Sequence, residues 1–413
     1  MGPLVGLRAV EIGDRGVVAG KILADAGADV IVVEPPTGAR ARHTGPFVED
    51  RASISGSLFH ANWNLNKRGV TLDVSTADGA EIWRRLASTA DLVIDSSGPD
   101  VLDASGAGYA SAEWPAGLIW CSITPFGLAG PWRDWHVNDL VSMALGGPMM
   151  SCGYDDHELP PIRADGEQSL AMAGEWAVMA MLAARHEQSR HGLGQMIDVS
   201  IHEAAACTVE GAYQNWEYRQ QLIYRQTGRT SGAAIVGPWQ YRCSDGEYVL
   251  LMGGGVPRDA RVWDALIAWM DEQGAAEDLH EPQYKQAIFS PPQARSPDRA
   301  HVQEVVGRFV QTLPAEEVYR RAQAIHLPWG RVRRPEENLA DPHWEDRGLF
   351  STGDLAGFDG QVRYAGAPFQ FSSTRSEFRY RAPLLGEHNH EVFVQELGLD
   401  APALLTLAQM RVI

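Results

Sequence analysis

The feature that most constrains this chain is a rhythm in its first 125 residues. Short apolar runs that read as buried strands alternate with stretches of helical spacing. "LRAVEIG" is a strand, "GKILADAGA" is helical, and "DVIVVEPP" is a second strand stopped by Pro35 and Pro36. "GVTLDV", the helical "ADGAEIWRRLAST", "ADLVIDSS" and "GLIWCSIT" continue it. Strands buried on both faces and separated by helices imply an α/β fold with a doubly wound parallel sheet. Such sheets bind ligands at the carboxyl ends of their strands.

The rest of the chain divides by texture. Residues 170–190 form a long apolar helix that ends at Gly192 and Gly194, and "SIHEAAACTVEGAYQNWEYRQQL" reads as another helix. From 225 the pattern changes to antiparallel strands around the turn "SDG" in "GPWQYRCSDGEYVLLMGGG". Residues 258–325 are then largely helical and charged, with the Pro-rich "SPPQARSPD" as a loop. After Pro328 come short strands such as "QVRYAGAPFQFS" and a final helix from about 388. The expected division is a large domain over 1–224, a smaller α+β domain over 225–327, and a return segment over 328–413. At 413 residues the chain is about right for two domains of ~150–200 each.

Charge and composition exclude several classes. The net charge of -18 argues against nucleic acid as a partner, which requires a basic face. No apolar run reaches the ~18 residues of a membrane span. "MGPLVGLRAVEIGD" lacks the basic and apolar regions of a signal peptide, so a cytoplasmic location is expected. Cys121, Cys152, Cys207 and Cys243 are widely spaced with no CxxC pair, so no metal site is expected.

Seven segments carry a resemblance: "LADAGADVIVVEPP", "NLNKRGVTLDV", "FGLAGPWRDWHVNDLVSMALGG", "GLGQMIDVSIHEA", "DPHWEDRGLF", "AGAPFQFSST" and "APLLGEHNHEV". Their order and spacing resemble the class III CoA-transferases, the group of formyl-CoA transferase, carnitine CoA-transferase and α-methylacyl-CoA racemase. The resemblance runs almost end to end. It implies a Rossmann-like large domain with a smaller inserted domain, and two chains threaded into an interlocked dimer. It implies coenzyme A and acyl-CoA as substrates, a carboxylic acid as acceptor, and no permanently bound cofactor. It also implies an aspartate nucleophile that attacks the thioester, releases the CoA thiolate and forms a mixed anhydride.

That aspartate should stand four residues before Gly174, where this chain has Leu170. Leucine is neither nucleophile, base nor acid. Glu167, Asp165 and Glu175 are the nearby carboxylates, and they suit equally a solvated helix start. In the racemase branch a histidine precedes the aspartate; here Asn138 precedes Asp139, and His136 lies two residues further off. For CoA, the resemblance points to Lys67 and Arg68 in "NKR" and to Arg40 and Arg42 after "EPPTG", with arginine forks suited to phosphate. Ser96 and Ala104 replace the expected asparagine and arginine, Asp100 would oppose a phosphate, and Val17 and Val18 fill a loop that commonly carries proline. The glycines at 253–255 suit either an active-site cap or a plain turn, and Trp132, Trp135 and Trp176 suit either an aromatic acid or a core.

The reading is a subunit of a heteromeric class III CoA-transferase that moves CoA between succinyl-CoA and an organic acid. It resembles the aspartate-lacking subunit of benzylsuccinate-type enzymes, and a homologous catalytic subunit is its expected partner. The alternatives are a self-sufficient homodimer using Glu167 or Asp165, or a non-catalytic acyl-CoA-binding protein.

Overall fold

The computed structural model describes residues 2–209, 211–286 and 296–413, and these divide into two compact units. The first comprises residues 1–146, 165–208 and 339–413; the second comprises 147–164 and 209–338. These units divide at 208/209 and 338/339, beside the expected domain bounds of 224/225 and 327/328. The segment 147–164 also groups with the second unit, which the sequence reading did not anticipate.

The first unit is built on six strands: β1 (Arg8–Gly13), β2 (Asp29–Glu34), β3 (Lys67–Thr71), β4 (Leu92–Ser96), β5 (Ile119–Thr124) and β6 (Met196–Ser200). All pair in parallel, in the order β3-β2-β1-β4-β5-β6. Strand order therefore reverses between β1 and β4. Neighbouring strand residues feed opposite faces, as the two-residue period demands. Ala9, Val30, Leu92 and Ile119 pack on one face; Val10, Ile31, Val93 and Trp120 pack on the other. The β3 edge is covered by the return segment. Gly69 and Thr71 donate their amides to His388 Nδ1 (3.1 Å) and Asn389 Oδ1 (2.8 Å), which leaves no free ladder there.

Seven helices belong to this part of the first unit: α1 (Val17–Asp25), α2 (Leu58–Trp63), α3 (Ala77–Ala87), α4 (Val101–Ala104), α5 (Asp139–Leu145), α6 (Gln168–His191) and α7 (Ile201–Ala206). α6 begins two residues earlier than its apolar pattern and ends at Gly192 in the left-handed region (φ 74°), as expected. It lies against α1 at Gly174, where a Cβ would sit 2.7 Å from Val18 Cβ. Val17 and Val18, which replace the loop proline, are buried there. No helix among the described residues is long and apolar enough to cross a membrane.

The expected second long helix breaks in two. α7 ends at Ala206, and α8 (Ala212–Arg219) starts in the second unit after Gly211 at φ 64°. In that unit, β7 (Tyr224–Gln226) and β8 (Arg229–Gly232) form a hairpin. β9 (Gln240–Arg242), β10 (Tyr248–Leu251) and β11 (Trp329–Arg331) form an antiparallel sheet, with "SDG" turning between β9 and β10 as expected. Its core draws on Trp263, Trp269, Phe309 and Trp329. Of the expected loop 290–298, residues 290–295 lie outside the described residues. Gly253–Gly255 form a buried turn whose Gly253 carbonyl accepts from Arg299 Nη2 (3.2 Å) and Gln303 Nε2 (3.3 Å).

Candidate active site

A cavity of about 270 Å³ opens at the carboxyl ends of β1 and β4, where the strand order reverses. A doubly wound sheet leaves a crevice at this point because successive connections depart to opposite faces. Gly13, Asp14 and Arg15 reach it from the turn after β1, and Ser96 and Ser97 from the end of β4. Arg40, Val137, Asn138, Asp139 and Ser142 also line it, as do Glu167, Ser169, Leu170 and Ile201.

Two hydrogen-bond sets hold this frame. Ser96, which stands for the expected asparagine, ties the turn after β1 to β4. Its Oγ accepts from the amides of Arg15 (2.9 Å) and Gly16 (3.0 Å) and donates to the Ile12 carbonyl (3.1 Å). Across the cavity lining, Asp139 anchors the start of α6. Its Oδ1 accepts from both the amide and the hydroxyl of Ser169, each at 2.8 Å. Leu170 is the next residue, half-buried against the apolar layer beneath.

The two carboxylates proposed as displaced nucleophiles part here. Glu167 lines the cavity as the residue before α6, without capping it; Asp165 is exposed and does not line it. The racemase pattern finds no base: Asn138 caps α5 by accepting from the Val141 amide (3.0 Å), and His136 is exposed.

The four basic residues expected at CoA are likewise not brought together. Arg40 reaches the cavity. Lys67 is wholly buried, its Nζ 2.8 Å from Glu11 Oε2 and 3.1 Å from both the Val17 carbonyl and Asn64 Oδ1. Burial pulls its ammonium pKa down, and the Glu11 charge opposes that pull. Arg42 forks onto Glu34 with two bonds of 2.6 Å and reaches the Pro383 carbonyl at 3.0 Å. Arg68 binds Asp29 through both nitrogens of its fork (2.9 and 2.6 Å), as well as Glu391 and Glu396. As folded, these three cations pair with protein carboxylates. Asp100, feared as a repulsive acid, is ion-paired with Arg133.

Sequence reasoning passed over Asp14. Burial pushes its carboxyl above the usual range, against the pull of an Ala41 backbone hydrogen bond and the charges of Arg40 and Arg15. Its Oδ1 is buried without a donor. Its position after the first strand of a doubly wound sheet was the available signal.

Comparison with known proteins resolves the family. The model for CoA-transferase family III matches residues 4–389. The chain belongs to CoA-transferase family III. It is similar to succinyl-CoA:(R)-benzylsuccinate CoA-transferase subunit BbsE of Thauera aromatica, at 31% identity over 98% of this chain and 96% of that one. It is 30% identical to the succinate–glutarate CoA-transferase of Agrobacterium fabrum, covering 95% of each. It is 28% identical to the succinyl-CoA–D-citramalate CoA-transferase of Chloroflexus aurantiacus, over 100% of this chain and 98% of that one. Among solved structures, a CAIB/BAIF family protein from Brucella suis superimposes with a TM-score of 0.79 at 26% identity, covering 95% of this chain and 99% of that one. The six-stranded parallel sheet is thus that of CoA-transferase family III.

Proposed function

We propose that this family III chain is one subunit of a heteromeric CoA-transferase that moves CoA between succinyl-CoA and an organic carboxylic acid. In this reading the nucleophilic aspartate is supplied by a homologous partner chain, the two chains interlocked. The observation that carries it is Leu170, an apolar side chain lining the switch-point cavity at the position expected to hold the nucleophile. Covalent acyl transfer needs an oxygen nucleophile there, and leucine has none. The similarity to a chain described as a transferase subunit supports the same reading. Of the basic residues, Arg40 is our assignment for an anionic substrate group; Lys67, Arg42 and Arg68 are assigned to the framework.

Native mass spectrometry of the protein from its own source tests this, combined with hydroxylamine trapping of acyl-enzyme. The expected result is two unlike chains of similar mass, with the acyl label on the other chain. A homodimer that transfers CoA by itself would overturn it.

One observation favours a second reading. Glu167 lines the same cavity. A self-sufficient enzyme would carry the acyl label on Glu167, and Glu167→Gln would abolish it.

A further inference from the structure

A larger cavity, of about 500 Å³, lies in the first unit away from the switch point. Lys21 and Asp25 reach it from the second half of α1, and Leu65 and Asn66 from the residues just before β3. Both places are at the amino ends of the strands, so this cavity opens at the opposite edge of the sheet. Its other wall is the return segment: the antiparallel pair β12 (Phe350–Asp354) and β13 (Gln361–Ala365), and the chain that follows as far as Phe378. The two cavities share no lining residue.

Charge on its lining is balanced: the cations Lys21, Arg347 and Arg375 stand with the acids Asp25, Asp346 and Glu377. Lys21 donates to Asp25, whose other oxygen accepts from Asn66 Nδ2 at 2.9 Å, so that pair is complete without a ligand. An ion entering such a lining gives up its water and gains no net counter-charge, which favours a neutral molecule. The rings are paired. Tyr364 stacks on Phe378 with 5.6 Å between centroids and 15° between planes, and Phe369 meets Phe371 at 5.3 Å and 65°. A flat ring entering the cavity can extend either pair. Ser351, Ser372 and Thr374 also line it, and their hydroxyls make no hydrogen bond to the described residues. A hydroxyl both donates and accepts, so it can serve an uncharged hydroxyl on a ligand from either side.

We propose that this amino-edge cavity binds a neutral phenol, its ring against the Tyr364–Phe378 and Phe369–Phe371 pairs and its hydroxyl toward those of Ser351, Ser372 and Thr374. At about 500 Å³ the space is within the range of small-molecule sites. Such a ligand is no substrate of the switch-point cavity, with which the site shares no residue. It touches the second half of α1, while the turn before that helix, Gly13–Arg15, lines the other cavity. The inference rests on the amino-edge cavity alone, not on the subunit reading.

Isothermal titration of the protein in its native assembly, at neutral pH, tests it with matched probes: 4-ethylphenol, 4-ethylcyclohexanol, 4-ethyltoluene, 4-ethylbenzoate and 4-ethylbenzylammonium. 4-Ethylphenol should bind about fivefold more tightly than 4-ethylcyclohexanol, the gain of an aromatic contact over similar apolar bulk. It should bind about fivefold more tightly than 4-ethyltoluene, which lacks one hydrogen bond. It should exceed both charged probes by at least about fivefold, because each must shed the water around an ion. Phe371→Ala removes one ring; that side chain is 46% exposed, so the fold is spared and phenol affinity should fall about fivefold. Ala365→Trp, at an exposed lining position of β13, should block the cavity and abolish binding in a protein whose circular dichroism is unaltered. No phenol binding, or binding of the cyclohexanol or the toluene as tight as the phenol's, would overturn the proposal. So would a charged probe that binds as tightly, because the ionic side chains would then select the ligand. Phenol binding that survives both variants would place it elsewhere and overturn the proposal too. Equilibrium binding does not depend on turnover, so a catalytically competent homodimer would sink the subunit reading and leave this one standing.

Discussion

Replacing Lys67 with methionine separates a framework role from a ligand role. Methionine keeps the length and apolar stem of lysine and removes only the ammonium. The side chains of Lys67 and Glu11 are both 0% exposed, with 2.8 Å between Nζ and Oε2. The pair has no slack: a Cβ on Gly20 would stand 1.7 Å from Glu11 Oε2 and 2.9 Å from Lys67 Nζ. Glu11 Oε1 already lacks a donor, so Lys67→Met would strand a buried carboxylate. Removing one partner of a buried pair costs about 3–5 kcal/mol, a large share of the ~5–15 kcal/mol that holds a domain together. In urea, followed by circular dichroism, the first unit's midpoint should fall by roughly 1–2 M at a slope near 3 kcal/mol/M. The double variant Glu11→Leu/Lys67→Met should recover most of the loss, since well-packed apolar replacements of a buried pair are often neutral. A Lys67→Met chain that unfolds like the unaltered one but binds CoA tenfold more weakly would refute the reasoning.

Three other outcomes follow from the same frame. His60 is buried; burial first, and then the charge of Arg42, holds its pKa down to about 4. The unfolded ring titrates near 6.5, so its stabilising effect is whole above that pH and fades as pH falls toward 4, by about 3 kcal/mol. His60→Gln should flatten the pH dependence of the unfolding free energy across that window; an unchanged slope would assign the dependence elsewhere. Gly174→Ala should lower stability by about 1–3 kcal/mol in thermal unfolding, because the new Cβ meets Val18 Cβ at 2.7 Å and α1 must move; no change would mean that the two helices have room to separate. Leu170→Asp should allow hydroxylamine-sensitive acylation of residue 170 by succinyl-CoA in this chain alone, read by peptide mass; a well-folded variant that never labels would mean that position 170 does not face the thioester.

Much of the sheet was legible because its strands are buried on both faces. "AVEI", "VIVVE" and "LVID" leave no alternative to interior strands once turns bound them. β6 was missed for the opposite reason. It is the edge strand, its first residues are partly exposed, and Asp198 breaks the apolar run. The break between α7 and α8 was hidden because helical composition continues through it; Gly211 in the left-handed region marks it only once the backbone is seen. The early start of α6 depends on Asp139, thirty residues away, which no local pattern reports.

The basic residues show what a local pattern leaves out. The resemblance assigns "NKR" and the arginines after "EPPTG" to CoA, but it does not report what charge the neighbouring strands hold. β1 and β2 each carry one glutamate in an apolar run, Glu11 and Glu34, and both are buried. A carboxylate inside a buried strand requires a cation, so two of the four basic residues were bound to be consumed. Counting acids in the strands before assigning bases to a ligand would have left Arg40 for the cavity, and would have turned attention to Arg15 and Asp14 beside it.

The same accounting bears on Leu170. If a leucine at this position went with a decayed cavity, the start of α6 would have no reason to be held. Instead Asp139 grips Ser169 by both amide and hydroxyl, one residue before the leucine. Ser96 fixes the facing turn with three hydrogen bonds. Both elements stay pinned at the carboxyl edge of the sheet. Leucine brings no oxygen nucleophile to this position, and the cavity around it is nonetheless formed. Under the subunit reading, Leu170→Asp therefore tests chemistry at residue 170 in a frame that is already held in place.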